Sequence, residues 1–538
     1  MINRTVECGS NRKSETGLRI IYTVCFVLLF IINWGSVTLD GRIQYIMTNL
    51  SGPVIAVIIL SAYRIKEYLK PVYAVWIAGF TVLLGVAIVP NFDYYSYKGK
   101  LITALINFFI YGFIVILVLR KNLVEKKKSE IKWIVFFCWV AMIIYMVIAR
   151  NEGVWPLWFG AMFGGFYLTD YSEEQRKSIA ESLVVGIIIG FFIIQGAALL
   201  FRPYDTVRYN GLFLNPNINA LMYVMIYAAF LSEWFILKNK EGYRFLRTMC
   251  ILFAGAMNGF LLLTGCRTAF VSIVAITVVF LICYIVRYKK GIASIVKFTA
   301  ILLLISVVSL PIVYGAVRYV PTVHLHPVFF DNEYNRPEKI HSDEPWDSEK
   351  YITFDQVLGD NFVYRLKNIV KNDVSEIIDI VIPTIDVYAA DKIADEQQES
   401  IYIIPAGAGA SGVYIRYQIY KWYFSKLNFA GHSNSEHNMP LTIDYPVPHA
   451  HNWWLQLTFN FGIPVGIMFL AGLVLYIRTF IKMLKHGEED YACIMGCFVV
   501  MFIVFGTFEV DYYPGQLPFI LFFLLFKFVL DKNKEVIE

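Results

Sequence analysis

Apolar residues run through this chain in blocks of membrane-spanning length, separated by short charged stretches. At about 20 apolar residues per crossing, the blocks fall at 19–37, 44–63, 71–90, 101–119, 133–149, 155–169, 179–201, 217–237, 248–264, 268–286, 298–318, 453–477, 491–508 and 516–530. This pattern predicts an all-α polytopic membrane protein with about 14 transmembrane helices. The sixth block is short and Gly-rich. One long polar interval interrupts the series, so the chain divides into helices 1–11 (1–318), a loop subdomain outside the bilayer (319–452) and helices 12–14 (453–538). Within the loop, 331–350 is acidic and Pro-containing, a solvated surface, whereas 361–381 and 414–428 carry apolar and aromatic residues at helical spacing.

The polar stretches between blocks fix an orientation, because Lys and Arg are retained on the cytoplasmic side. Arg4, Arg12, Lys13 and Arg19 precede the first block. Alternate loops then collect Arg64, Lys66 and Lys70; Arg120, Lys121 and Lys126–Lys128; Lys238, Lys240, Arg244 and Arg247; Arg287, Lys289 and Lys290; and Arg478, Lys482 and Lys485. Both termini are expected in the cytoplasm and the 319–452 loop outside it. The chain begins with a polar stretch and no small-residue cleavage site follows the first apolar block, which reads as an uncleaved first span.

Composition agrees with the pattern: 57% of residues are hydrophobic and only 17% charged, a balance foreign to soluble globular domains. The net charge of +5 lies in the loops just named and points to lipid headgroups, not nucleic acid. None of the eight cysteines falls in the polar interval, which argues against a disulfide framework. Seven of the eight histidines do fall there, His486 being the exception.

On the predicted outer face three stretches carry chemistry. RYNGLFLNPNINA (Arg208 to Ala220) breaks the helix pattern near the membrane surface with Gly211 and Asn215-Pro216-Asn217. LTGCRTAF (Leu263 to Phe270) is a tight turn that places Arg267 at the water boundary. HAHNWWLQLTFNFGIPVG (His449 to Gly466) brings His451 to the mouth of the twelfth block. A guanidinium makes paired, charge-assisted bonds to phosphate oxygens, and a neutral imidazole accepts a proton from a hydroxyl near neutral pH.

At these residues the chain resembles the O-antigen ligase and O-antigen polymerase family of bacterial envelope enzymes. Arg208, Gly211 and Asn215-Pro216-Asn217 resemble that family's arginine, glycine and Asn-Pro-Asn pattern; Thr264 to Arg267 resembles its Thr-Gly-Ser-Arg turn, with Cys266 in place of serine. His451-Asn452, Leu455-Gln456, Gly462 and Gly466 resemble its His-Asn element, Leu-Gln pair and spaced glycines. Arg416, Trp422 and Gly431 resemble a further stretch, with Ser433 at its usual second glycine. The resemblance covers about 208–476 and implies a C-type glycosyltransferase architecture with one large extracytoplasmic loop. It implies transfer or polymerisation of oligosaccharide from an undecaprenyl diphosphate carrier to a glycan or lipid acceptor hydroxyl, at the outer face of the cytoplasmic membrane, with no metal and no cofactor. Carried over, His451 is the catalytic base, Arg208 and Arg267 bind the diphosphate, and Asn452, Asn217 and Arg416 support them. Asn452 would orient the imidazole, and Trp453 and Trp454 would anchor the span at the headgroups or stack on sugar.

Other readings stand beside these. The arginines at helix ends can snorkel to headgroups. His324 with His326, and His449 with His451, form two His-x-His pairs of the kind that ligate metals. A flippase or other polytopic transporter of envelope polysaccharide has about this many spans, but transporters place ionisable residues near the bilayer midplane, and here they crowd one surface. A scaffold with a folded outer segment would tolerate changes at Arg208, Arg267 and His451.

Overall fold

The computed structural model of the chain describes residues 2–35, 51–63, 133–149, 154–162, 171–202, 208–213, 215–238, 240–289, 291–323, 412–432, 439–442, 445–447, 449–485, 489–509 and 516–535, with a few single residues between them. The expected crossings at 71–90 and 101–119 fall almost wholly outside these residues, and the expected loop helix at 361–381 falls entirely outside them.

In chain order the described helices are α1 (Ile2–Phe30), α2 (Ser51–Leu60), α3 (Trp133–Ile148), α4 (Val154–Met162), α5 (Glu173–Phe201), α6 (Pro216–Leu237), α7 (Arg244–Thr264), α8 (Arg267–Tyr288) and α9 (Ile292–Tyr319). They continue with α10 (Gly412–Ser425), α11 (Trp453–Phe461), α12 (Ile463–Lys485), α13 (Glu489–Phe508) and α14 (Leu517–Glu535). A short antiparallel hairpin, β1 (Met439–Thr442) with β2 (Tyr445–Val447), pairs Met439 with Val447 in the loop subdomain. Among the described residues seven segments are long and apolar enough to cross a bilayer: Thr16–Trp34, Glu173–Phe201, Pro216–Leu237, Arg244–Thr264, Arg267–Tyr288, Ile292–Val323 and Ile463–Lys485. The chain is a multi-pass helical membrane protein.

Local chemistry sets where these helices begin. The fifth starts at Glu173, ahead of its apolar block, because Ser172 and Gln175 form a capping box: the Ser172 hydroxyl accepts the Gln175 N–H (3.2 Å) and the Gln175 carbonyl oxygen accepts the Ser172 N–H (3.0 Å). Glu173 and Glu174 then sit in the first turn, where the helix dipole favours acids. The Asn-Pro-Asn element proves to be the start of α6: Asn215 is the N-cap, its side chain accepting the Asn217 N–H at 2.8 Å, and Pro216 occupies the first helical position.

Packing in lipid rests on close backbone approach, since hydrocarbon solvent supplies no hydrophobic drive between helices. Gly186 and Gly190, one turn apart on α5, lie so close to Phe26 and Phe30 of α1 that a Cβ at either would collide with them. In the same way α7 meets α9 through Gly255 and Gly259, where Ser309 Oγ donates to the Gly255 carbonyl (3.1 Å) and Asn258 Nδ2 to Ser306 Oγ (2.8 Å). At the centre is α6, buried continuously from Asn219 to Ser232, as a helix apolar on every side must be.

The sixth apolar block forms a helix of nine residues, α4, which rises only about 13 Å. Trp155 and Phe159 of α4, and Tyr167 and Tyr171 beyond it, nevertheless pack on α14. Trp155 meets Phe519 (6.3 Å between ring centroids), Phe159 meets Phe523 (5.1 Å), Tyr167 meets Phe526 (6.1 Å) and Tyr171 meets Phe528 (5.7 Å). The twelfth block, expected as one crossing over 453–477, is two helices. Gly462, at φ +91°, separates α11 from α12, so the spanning segment is Ile463–Lys485 and α11 belongs to the polar end.

Candidate functional site

One end of the bundle gathers the start of α6, the α7–α8 turn, the loop helix α10, the start of α11 and the end of α13. Glu509, immediately after α13, joins them. Its Oε1 accepts Arg416 Nη2 at 2.6 Å and Asn217 Nδ2 at 3.3 Å, while its Oε2 faces His451 Nδ1 at 3.6 Å, beyond hydrogen-bond length. The carboxylate is buried, and a buried carboxylate requires paired charge and hydrogen bonds of this kind. Arg208 connects to the same network: its Nη2 donates to Asn217 Oδ1 (2.6 Å) and its Nε to the Thr264 carbonyl (2.7 Å), which fixes the plane of the guanidinium.

Backbone geometry accounts for these positions. Gly211 adopts φ +56° and lies against the Asn219 side chain, whose Nδ2 donates to the Tyr209 carbonyl (3.2 Å). The Tyr209 N–H in turn donates to the Leu263 carbonyl (2.8 Å), tying the Arg208 loop to the end of α7. Gly265, at φ +59°, ends α7 in the left-handed conformation typical of helix C-termini, and Cys266 leads into α8. Cys266 makes no side-chain capping bond, a function serine commonly performs at that position. Burial pushes its thiol up to about 11, and the Thr264 carbonyl that receives Arg208 Nε holds the turn at the cluster.

His451 has φ +47°, a left-handed value rare outside glycine and costing about 1–3 kcal/mol. The surroundings hold it there. The Tyr420 hydroxyl lies 3.1 Å from the His451 carbonyl and 2.9 Å from the Thr507 carbonyl, and burial raises that phenol to about 12, so it stays protonated as a donor. On one side of His451, the Ala450 N–H donates to Gln456 Oε1 (2.6 Å), and Gln456 Nε2 donates to Asn460 Oδ1 (2.7 Å). On the other, Asn452 caps α11 by accepting the Leu455 N–H (2.9 Å). The His449 ring stands edge-on to His451, with centroids 4.3 Å apart.

The structure thus joins Arg208, Asn217 and Arg416 through Glu509 and sets the His451 ring beside them, 3.6 Å from the carboxylate. Arg267 is the exposed first residue of α8, three positions after the carbonyl that receives Arg208 Nε. Asn452 spends its side-chain carbonyl oxygen on the α11 cap and also hydrogen-bonds Tyr420, whose hydroxyl donates to the His451 carbonyl. One expected role changes. Trp453 is fully buried among Trp155, Phe469 and Phe502, so it is a core residue, neither a headgroup anchor nor a sugar platform. The loop helix expected at 414–428 is α10, which presents Arg416 and Tyr420 to the cluster. Glu509 and Tyr420 are the participants that sequence reading misses. Glu509 does leave a signal, an acid at the very end of an apolar block, but counting only cations for topology passes over it. The pair His324 and His326 lies outside the described residues, and among the described residues no group of three or more His, Cys, Asp or Glu side chains is arranged to hold a metal ion.

Comparison with protein-family models finds no match to this chain, and comparison with curated proteins finds no match either. The fold and the site define a class: a multi-pass helical membrane protein with a buried carboxylate linked to two arginines, and an imidazole beside it, at one end of its bundle.

Proposed function

We propose that this chain is a membrane glycosyltransferase of the O-antigen ligase and polymerase type, which transfers or polymerises undecaprenyl-diphosphate-linked oligosaccharide at the outer face of the cytoplasmic membrane. The reading includes about 14 crossings, a C-type glycosyltransferase arrangement, cytoplasmic termini and an extracytoplasmic 319–452 loop. The single observation that carries it is the assembly around Glu509: Arg416 on it directly, Arg208 through Asn217, the His451 ring 3.6 Å away, and the Thr264–Arg267 turn held to Arg208 through the Thr264 carbonyl. A cationic rim next to an imidazole suits a reaction in which a diphosphate leaves and a hydroxyl attacks.

In this scheme Glu509 favours the His451 tautomer with its proton on Nδ1, leaving Nε2 to take the proton of the acceptor hydroxyl. The acceptor oxygen forms its bond to the anomeric carbon as the bond from that carbon to the diphosphate oxygen breaks, with inversion. The departing undecaprenyl diphosphate carries the negative charge, and Arg208 and Arg267 stabilise it. Arg416, paired with Glu509, fixes the carboxylate and docks the loop helix on the bundle.

Incubating the purified protein with lipid-linked repeat units tests the scheme. Polymerisation gives a product ladder, and ligation a single transfer. His451→Ala is expected to lower turnover by about 10²–10⁴-fold while the protein still inserts and accumulates, and Glu509→Gln to lower it as well. Full turnover in His451→Ala would remove the mechanism; translocation of the lipid-linked glycan without any new glycosidic bond would favour the transporter reading.

A further inference from the structure

At the opposite end of the bundle, where α6 ends and α7 begins, a cavity of about 300 Å³ opens between α6, α7 and α9. Its lining changes character from one end to the other. Arg244, Arg247 and Thr248 on the first turns of α7, with Lys238 at the end of α6, form the outer part; Ile251 and Leu252, one turn further along the same face of α7, join Ile301 and Ile305 of α9 to form the inner part. The helix face is therefore cationic where it meets the interface and hydrocarbon-like further in.

Two of the cations, Lys238 and Arg247, are held in place, while Arg244 is exposed at the mouth. Lys238 Nζ rests over the rings of Tyr284 (4.0 Å), Tyr288 (4.0 Å) and Trp234 (4.7 Å), a cation–π arrangement that fixes the ammonium at the cavity. Arg247 Nη1 donates to the Lys238 carbonyl (2.8 Å), and Thr248 Oγ1 to the Arg244 carbonyl (3.1 Å). Arginines that merely snorkel extend outward to whatever headgroup passes; here the basic residues line one end of an open groove whose other end is apolar.

We infer that this cavity is a binding site for an anionic phospholipid, with the phosphate between Lys238, Arg244 and Arg247 and an acyl chain along Ile251, Ile301 and Ile305. The apolar floor selects a lipid over free phosphate, and the cluster of three cations selects an anionic headgroup over a zwitterionic one. The site lies a full helix length from Glu509 and is independent of the proposed transfer reaction.

The test uses the full-length protein in detergent with a short-chain phosphatidylglycerol, followed by thermal unfolding and native mass spectrometry. Saturable retention of the lipid and a rise in melting temperature are expected. Exposed Arg244, changed to Glu, should weaken binding about tenfold. Leu252→Trp, which fills the floor without altering charge, should weaken it too, so loss in both variants with unchanged elution profiles supports the site. Equal binding of phosphatidylcholine, an equal shift from inorganic phosphate alone, or undiminished lipid binding in Arg244→Glu would overturn it.

Discussion

His449 shows how one side chain's surroundings set its chemistry. Burial first, and then the neighbouring His451, pull its pKa from 6.5 down to about 4, so it is neutral near pH 7 and adds no positive charge beside the cluster. A depressed imidazole pKa means the unfolded chain binds the proton more readily than the folded one. Its contribution to stability is complete above about 6.5 and declines as pH falls from there toward 4. Thermal unfolding in detergent across that window should show acid loss that is shallower in His449→Gln; equal slopes would exclude His449 as the cause. At this scale His451, Arg208 and Asn217 were legible as polar motifs at block boundaries, and Arg416, deep in the loop, only through the family resemblance. Glu509 stood outside any motif, and its partners are 292 and 93 residues away along the chain, separations that no local pattern encodes.

Among the elements, the break at Gly462 has the clearest physical origin. A Cβ there would strike the Phe429 carbonyl, and a Cβ on Gly431 would strike the Asn460 carbonyl, because the 428–432 loop lies backbone to backbone on the α11–α12 junction. Two hydrogen bonds hold the contact: the Ile463 N–H donates to the Asn428 carbonyl (2.9 Å) and the His432 N–H to the Asn460 carbonyl (3.3 Å). The hydropathy of 453–477 is continuous across this point, so a pattern-based reading fuses the two helices, although the spaced glycines marked the place. Gly462→Ala adds both the collision and left-handed strain of about 1–3 kcal/mol. It should lower the melting temperature measurably, whereas Gly160→Ala, with nothing within 4 Å of the added carbon, should not. Similar melting temperatures for the two variants would contradict this account of the junction.

For the whole molecule, hydrophobic blocks anticipated the long helices well, since span length follows from bilayer thickness. Their ends were less legible, because caps such as Ser172 and Asn215 lie outside the apolar blocks and extend or fix helices by side-chain chemistry. The bundle has two chemically distinct ends. One carries the Glu509 network. The other carries the pairing of Arg19 with Glu181, the nearby Lys240 (3.8 Å from Glu181), and the lipid cavity. The positive-inside reading assigns the second end to the cytoplasm. In a chain whose native cysteines have been replaced, an impermeant thiol reagent should label Lys426→Cys in intact cells and Glu241→Cys only after permeabilisation. Labelling of both from one side, or in reverse, would refute that orientation.

Glu509 also imposes an order of assembly. Asn217, near the start of α6, and Arg416 on the loop helix lack this shared partner until the ribosome has passed the segment containing this acid. The earlier helices are therefore made while the polar centre is still incomplete, and the centre closes only once α13 and Glu509 have been synthesised.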